Sequence, residues 1–274
     1  MKRSYVAMIM TFMLCLPTSQ VFAQGAGIEW KTLIQEVVEL YRAGQYGRAV
    51  MVAQAALQVA EKNVGSNHPD VATSLNSLAN LYYTQGNYTK AEPLYKRSLD
   101  ILEKALGPNH PNVASSLNNL AVLYDTQGNY TKAEPLYKRS LVIWEKALGP
   151  DHPDVATSLY NLANLYTTQG NYTKAEPLYK RSLDISEKAL GPNHPDVATS
   201  LNNLAKLYDT QGNYTKAEPL YKRSLDILEK ALGPNHPDVA TNLESLALLY
   251  RATNRSAEAK KLEGRAKNIR AIKR

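Results

Sequence analysis

Apolar side chains recur along this chain with the period of an α-helix, in segments that come in pairs. In the segment after residue 68 they fall at intervals of three and four residues, at Val71, Leu75, Leu78 and Tyr82. A second segment with similar spacing runs from Tyr88 or Thr89 to about Leu106. This spacing aligns side chains on one helical face, and it predicts two amphipathic helices joined by a short turn.

The residues at the ends of the first segment fit a helix from about His68 to Thr84. Pro69 suits the first helical position because its missing N–H needs no partner there, and Asp70 favours the positive end of the helix dipole. Gly86 then interrupts the pattern, since it adopts a left-handed backbone at little cost.

The start of the second segment, Thr-Lys-Ala-Glu at residues 89–92, predicts a capping box with Thr89 as the cap. In that arrangement Pro93 is the fourth helical residue and removes no internal hydrogen bond. An earlier start would instead make Pro93 kink the helix. Gly107 is expected to end the helix, and Pro108 prevents its continuation.

This pair of segments is one copy of a block of about 42 residues that repeats along nearly the whole chain. The histidines of the sequence open five copies: His68, His110, His152, His194 and His236. A fixed period of this length predicts a stacked array, in which each helical hairpin buries its apolar face against its neighbours. With a divergent first hairpin, six hairpins and twelve helices are expected.

The predicted organisation is a signal peptide followed by six hairpins, the last with a polar, basic capping helix. The boundaries are residues 1–23, 28–67, 68–109, 110–151, 152–193, 194–235 and 236–274. In the last hairpin Asn254 replaces the turn glycine and keeps left-handed geometry accessible. Glu263, Lys267 and Asn268 replace Tyr, Leu and Asp of the earlier second helices, so this helix can end the stack and meet water.

The first 23 residues have the layout of a secretory signal peptide. Lys2 and Arg3 precede an apolar run over residues 5–16, and Val21-Phe22-Ala23 offers small residues at the cleavage positions. Cleavage after Ala23 would make the protein periplasmic or secreted, with no membrane span in the mature chain; the alternative is an uncleaved anchor. Cleavage also removes the only cysteine, so disulfides cannot stabilise the mature protein.

The repeated sequences Leu-Ala-x-Leu-Tyr, Gly-x-Tyr and Ala-Glu-Pro-Leu-Tyr-x-Arg together resemble the tetratricopeptide repeat. The longer unit, with His-Pro-Asp-Val-Ala and Glu-Lys-Ala-Leu-Gly, resembles the kinesin light chain variety over roughly residues 28–274. The resemblance implies an all-α, right-handed superhelical solenoid of helix-turn-helix hairpins. It also implies that the first helices line a concave groove that meets extended peptides, with asparagines contacting the peptide backbone. An export signal departs from a cytosolic motor subunit, so motor transport is not carried over.

Comparison of the copies with one another shows one stripe of the first helix that changes while its surroundings stay nearly constant. Its positions lie four and three residues apart, on one helical face. Together with Glu244, Leu248 and Arg251 of the last copy, the stripe contains Asn76, Asn80, Tyr83, Asn118, Val122, Asp125, Tyr160, Asn164, Thr167, Asn202, Lys206 and Asp209. A stripe that diversifies on a constant scaffold is typical of a tailored peptide groove, although drift on an exposed face would look similar.

Charge adds a second candidate surface. The net charge is +7, yet residues 251–274 contain nine Lys or Arg and two Glu, so the basic excess belongs to the C-terminal end. This segment could hold phosphate or an acidic membrane surface, or simply be a solvated cap. Aromatic residues are absent from it, so nucleic-acid binding by base stacking is not expected.

Catalytic, metal and cofactor sites are not expected. The histidines occupy equivalent sites about 10 Å or more apart in a helical stack, too far to share a zinc ion. An enzyme needs a unique constellation, and the copies share their polar residues, although a hydrolase site among the varied positions remains an alternative. The four Asn-Tyr-Thr sequences, at Asn87, Asn129, Asn171 and Asn213, are formal glycosylation acceptors, but turn and cap geometry also explains them. The sequence therefore predicts an exported, non-enzymatic scaffold that binds a protein or peptide in its groove.

Overall fold

A computed structural model of the protein describes residues 18–272, with side chains from residue 29 onward. In this part of the chain all regular structure is helical. The twelve helices are α1 (Thr18–Arg42), α2 (Tyr46–Val64), α3 (Pro69–Thr84), α4 (Tyr88–Leu106), α5 (Pro111–Thr126), α6 (Tyr130–Leu148), α7 (Pro153–Thr168), α8 (Tyr172–Leu190), α9 (Pro195–Thr210), α10 (Tyr214–Leu232), α11 (Pro237–Ala252) and α12 (Ser256–Ile272). The predicted all-α array of six hairpins is confirmed.

The described helices form two compact units, which divide between residues 108 and 109. The described part of the first unit contains the hairpins α1–α2 and α3–α4, and the second contains the four hairpins from α5 to α12. Within each unit the two helices of a hairpin pack along each other, and the second helix also packs against the first helix of the next hairpin. This is the nearest-neighbour stacking expected of a repeat array.

The histidines that open the copies are helix caps. Each has an extended backbone, and its Nδ1 accepts a hydrogen bond from the amide two residues later, as His68 does from Asp70 at 3.2 Å. Pro69 follows at the first helical position, as predicted. The imidazole therefore satisfies an amide that the start of the helix leaves without a backbone partner.

The predicted capping box at Thr89 is wrong. The second helix begins at Tyr88 with Asn87 as its cap, and the Asn87 side chain accepts from the Lys90 amide. The Thr89 hydroxyl lies 3.1 Å from Asn87 Oδ1, so it supports this cap and does not form its own. Pro93 is then the sixth helical residue, and its missing N–H leaves the Thr89 carbonyl without the usual helical partner.

The turns between the helices of a hairpin depend on one left-handed residue. Gly86 has φ 73°, and the next amide, that of Asn87, donates to the Tyr82 carbonyl at 2.8 Å. In the last hairpin Asn254 takes this place with φ 62°, so the predicted exchange of glycine for asparagine is confirmed.

Small residues allow the helices to approach closely in the core. The first and second helices meet at alanines that are fully buried, among them Ala79 and Ala91. A buried serine in each complete second helix donates to a carbonyl of the preceding first helix, as Ser98 does to Ala72 at 2.8 Å. The same bond recurs at Ser140, Ser182 and Ser224. Each such bond satisfies a buried hydroxyl and contributes about 1 kcal/mol.

The start of the array differs from the sequence expectation in length, whereas the polarity of its end agrees with that expectation. α1 begins at Thr18 and continues through Ala23, earlier than the expected start near residue 28. The predicted signal-peptide features before residue 18 lie outside the described residues. α12 buries only Ala259, Ala266 and Ile269, which agrees with the expected polar end of the stack.

Candidate binding groove

The first helices of the hairpins form the inner side of each stack. In the first unit α1 approaches α3, and in the second unit α5 approaches α7 and α9 approaches α11. Within the described residues, the second helices of successive hairpins make no comparably close approach. A stack whose first helices lie closer together than its second helices curves toward the first helices.

The varied residues predicted from the sequence lie on these first helices, and we call them the variable face. In the first unit they are Asn76, Asn80 and Tyr83 on α3. In the second unit they are Asn118, Val122 and Asp125 on α5, Tyr160, Asn164 and Thr167 on α7, and Asn202, Lys206 and Asp209 on α9. Lys206 and Asn80 are exposed, Asn118 is buried, and the others are half-buried.

Many residues of the variable face bind the second helix of their own hairpin. The hydroxyl of Tyr95 donates to Asn80 Oδ1 at 2.5 Å, and that of Tyr179 donates to Asn164 Oδ1 in the same way. At α5 the carboxylate of Asp125 takes over this role and accepts from the tyrosine of α6. Tyrosines that are the same in all four complete second helices, α4, α6, α8 and α10, therefore lie beneath the variable face.

In the last hairpin an ion pair replaces the tyrosine hydrogen bond between the first and the second helix. Glu263 stands in place of the second-helix tyrosine, and Arg251 stands in place of its partner on the first helix. The guanidinium of Arg251 binds both carboxylate oxygens of Glu263, at 2.6 and 2.7 Å. The two positions have therefore changed together.

A second set of hydrogen bonds links the first helices of successive hairpins in the second unit. Asn161 donates to Asn118 Oδ1 at 3.0 Å, and Asn203 donates to the Tyr160 hydroxyl at 3.1 Å. Asn242 continues the series with a bond of 3.4 Å to Asn202 Oδ1. These oxygens therefore link neighbouring hairpins. The sequence analysis expected the asparagines to contact a peptide and did not predict this structural role.

Burial raises the pKa of several tyrosine and aspartate side chains on and beneath the variable face. Burial raises the pKa of Tyr179 to about 12 and also raises the pKa of Tyr95 and Tyr221. It raises the pKa of the Asp125 and Asp209 carboxyls as well. The tyrosines remain neutral donors at physiological pH, while Asp209 and Lys206 give the α9 part of the groove opposite charges.

The sequence comparison missed a second varied position, on the second helix. It is occupied in successive copies by Leu102, Trp144, Ser186, Leu228 and Arg270. Arg270 shows where the position lies, because its guanidinium binds Glu244 of the variable face at 2.9 and 3.1 Å. Apart from this position, the complete second helices differ only at Val142, which stands where the other copies have an aspartate. The comparison of copies that revealed the variable face could therefore have revealed this position as well.

The exchange at Ser186 coincides with a cavity in the second unit, which we call the Ser186 cavity. It has a volume of about 340 Å³ and lies among α7, α8 and α9. A neighbouring cavity of about 310 Å³, the Asn242 cavity, is lined by α9, α10 and α11. Tyr160 lines both cavities.

The basic C-terminal segment is largely committed to ion pairs within the fold. Besides Arg251 and Arg270, Arg255 binds Glu218 and Glu258, and Arg265 binds Glu229. The outermost residues, Lys273 and Arg274, lie outside the described residues. Pairing of four arginines leaves less positive charge for an acidic partner than the sequence suggests.

The tandem hairpins define a class of protein, the helical-repeat arrays. Matches to a family model described as tetratricopeptide repeat cover residues 38–104, 76–142, 126–188, 158–230 and 210–271, so the chain belongs to the tetratricopeptide repeat family. Such repeats are typical of protein–protein interaction scaffolds, generally without enzymatic activity. No helix within residues 18–272 combines the length and apolar character needed to cross a membrane.

Solved structures similar to this chain include repeat proteins of the kinesin light chain-like type. The crystal structure of BtubC (BKLC) from P. vanneervenii has a TM-score of 0.68 and 23% identity, covering 94% of this chain and 92% of that one. A putative kinesin light chain from Podospora anserina with nearly identical TPR-like repeats has a TM-score of 0.66 and 28% identity, covering 76% and 98%. PilW, a type IV pilus biogenesis factor, has a TM-score of 0.65 and 19% identity, covering 88% and 91%. A comparison of the sequence with curated proteins gave no match.

Proposed function

We propose that this protein is an exported scaffold that binds an extended segment of a partner protein along the variable face of its second unit. The observation that carries the proposal is the contrast between this face and its scaffold. The complete second helices are nearly identical, whereas the inner face of the first helices presents a different set of side chains in each hairpin. Neutral drift would spread over all exposed positions, but Lys180 and its equivalents on the exposed part of the second helices do not vary among the complete copies.

The mechanism is preorganisation. The bonds from the second-helix tyrosines and between neighbouring first helices hold the groove floor in place before a partner arrives. A rigid groove does not have to be ordered on binding, so more of the contact energy appears as affinity.

The side chains of the groove indicate what the partner segment carries. Val122 and Tyr160 offer apolar and aromatic surface, so we expect an apolar side chain of the partner there. Lys206 is exposed and positively charged, so an acidic group is expected beside it. Export rests on the features of residues 1–23 and is part of this proposal.

The test begins with capture of partners from a native extract and their identification by mass spectrometry. The identified partner is then titrated calorimetrically against Tyr160→Asn and Lys206→Glu. Tyr160→Asn uses the residue that α5 and α9 carry at this place, so folding is preserved, and loss of a buried aromatic anchor is expected to cost about 2 kcal/mol. Lys206→Glu should weaken binding most at low salt, since an exposed charge is screened by ions.

Lys180→Glu, on the exposed part of α8, is the control and should leave binding unchanged. Circular dichroism checks that each variant is folded. Parental affinity in both groove variants, with lost binding in Lys180→Glu, would show that the partner binds the second helices.

The basic C-terminal helix is the second candidate surface. The exposed Lys260 and Lys261 favour it, but the ion pairs of the neighbouring arginines weaken it. Binding that disappears after charge reversal of these two lysines, and that survives Lys206→Glu, would support this alternative.

A further inference from the structure

The Ser186 cavity arises at a single varied position. The equivalent side chains Leu102, Trp144 and Leu228 are 3%, 5% and 6% exposed, so each fills space inside its hairpin. Ser186 is much smaller, and its hydroxyl turns back to the Ser182 carbonyl at 2.9 Å.

Tyr160 does not fill the space that Ser186 leaves. Its hydroxyl accepts from Asn203 on α9, and its ring lies edge-on to the Tyr179 ring with centroids 6.0 Å apart. Held in this way, Tyr160 forms a wall between the two cavities. The other walls of the Ser186 cavity are mostly apolar, and they include Ala156, Ala189 and Leu190.

The Ser186 cavity is open to an incoming group and has the size for one large apolar side chain. Its volume of about 340 Å³ is near the lower end of the range for ligand pockets. Leu190, which also lines it, is 43% exposed, so part of its aliphatic side chain is open to an incoming group.

One residue that lines the Asn242 cavity has an unpaired hydrogen-bond acceptor. Asn242 is 2% exposed and replaces a serine present in the earlier copies. Its Nδ2 donates to Ser224 Oγ at 2.7 Å, and Ser224 Oγ itself donates to the Ala198 carbonyl. This chain of donors fixes the orientation of the amide and leaves Asn242 Oδ1 buried without a hydrogen bond. A buried acceptor without a partner costs free energy that a donor from a ligand would recover.

The charges around the cavities favour a cationic donor. The Ser186 cavity is lined by Asp196, whose side chain is 74% exposed, and the Asn242 cavity by Asp238, 63% exposed. Lys and Arg are absent from the residues that line either cavity. Arg270 reaches Thr241 at the Asn242 cavity, but the Glu244 carboxylate neutralises its charge.

We propose that the two cavities form one bipartite site, in which the Ser186 cavity takes a large apolar side chain of a protein segment and the Asn242 cavity takes a nearby lysine or arginine. This site rests on the proposed function, because it names the chemistry of the partner segment near Tyr160. It adds a basic residue to the acidic group expected at Lys206.

The experiment selects peptides from a random twelve-residue phage-displayed library on the purified protein, and in parallel on Ser186→Leu. Leucine is the residue that α4 and α10 carry at this place, so the variant should fold while it fills the cavity. Selection on the parent should enrich a large apolar residue close to a lysine or arginine, and selection on Ser186→Leu should not.

An enriched peptide is then synthesised and titrated against point variants. Binding to Ser186→Leu should be at least ten-fold weaker, whereas Ser186→Ala, which keeps the cavity open, should stay within about three-fold of the parent. Asn242→Ser and Asp238→Asn use residues found at the equivalent places in other copies. Each should weaken binding several-fold, and replacing the basic residue of the peptide should abolish this effect.

The two proposals fail in different ways. Peptides that lack the apolar and basic pair, or that bind Ser186→Leu as well as the parent, overturn the bipartite site. If such peptides still lose affinity with Tyr160→Asn and Lys206→Glu, the groove function stands. Peptides that bind all of these variants like the parent would contradict the groove function as well.

Discussion

At the scale of single residues, a side chain of the groove can either form hydrogen bonds within the fold or contact a partner. Asn80 and Asn164 belong to the variable face, yet their oxygens accept from Tyr95 and Tyr179 of the second helices. The exposed Lys206 and the wall formed by Tyr160 are better placed to contact a partner. A residue on the variable face is therefore not automatically a contact residue.

Deprotonation of the buried tyrosines should destabilise the fold at alkaline pH. The pKa of Tyr179 is raised from its ordinary value of 10 to about 12, so the folded state holds this proton more tightly than the unfolded chain. The stability that it contributes is fully present below pH 10 and is lost as the pH rises toward 12. We expect the melting temperature to fall over this window.

Tyr179→Phe is the matched variant for this prediction. It lacks the ionisable hydroxyl and the bond to Asn164, so it should melt lower at pH 8 and lose less stability between pH 10 and 12. Thermal melts followed by circular dichroism at several pH values measure both effects. An equal alkaline loss in parent and variant would assign the effect to other groups.

At the scale of the element, five of the six hairpins begin with a histidine cap, and all six turn at a left-handed residue. The histidine caps and the turn glycines recur in register, and they define where each helix starts and stops. Asn254 shows that the turn accepts one alternative to glycine.

Substitutions of Gly212 test the turn. A Cβ at this position meets no atom within 4 Å, so the cost of a side chain comes from the backbone angle, φ 70°. Gly212→Ala is expected to destabilise the protein by about 1–2 kcal/mol, and Gly212→Asn by clearly less, because asparagine tolerates this conformation. Urea unfolding followed by circular dichroism compares the two; equal losses would show that the turn does not discriminate between side chains.

At the scale of the whole molecule, stability resides in contacts between neighbouring hairpins. Ile227 and Leu228 of α10 share a buried cluster with Val239 and Leu243 of α11 and with Ile269 of α12. The last hairpin therefore covers apolar surface that its neighbour cannot bury alone.

Removal of the last hairpin should expose this surface. A chain that ends at Pro234 is expected to aggregate or to lose helix content, since Ile227 and Leu228 then face water. A chain shortened only by residues 273 and 274 is the control and should behave like the parent. Light scattering and thermal melts report the outcome, and unchanged solubility and melting temperature in the longer truncation would contradict the capping role of α11 and α12.

Export makes a separate prediction for the whole chain. Exported material should begin at Gln24, because the charged start and the apolar run place the cleavage site after Ala23. N-terminal sequencing of protein recovered outside the cytoplasm measures the site. Recovery of the full-length chain in the membrane would instead identify residues 1–23 as an anchor.

The sequence by itself determined the local and periodic features of this protein. Helical spacing, the Pro69 and Gly107 signals and the 42-residue period predicted the helices after α1 nearly to the residue, because each signal depends on neighbours a few positions away. The capping box failed at this scale, since the helix begins two residues before the position that a Thr89 cap requires, and Asn87 accepts from the Lys90 amide instead. That Asn76 and Tyr83 share a helical face was likewise predicted from spacing alone.

Only the tertiary structure decided which of these side chains are free to contact a partner and which bind a neighbouring hairpin. The bonds of Asn118 to Asn161 and of Tyr160 to Asn203 join residues 43 positions apart, so they depend on how successive hairpins pack. The same packing turns the small side chain of Ser186 into a cavity, where a larger residue would have filled the hairpin. Periodicity reports which face a residue occupies, but the distance to the next hairpin determines whether that residue binds its neighbour or remains open to a partner.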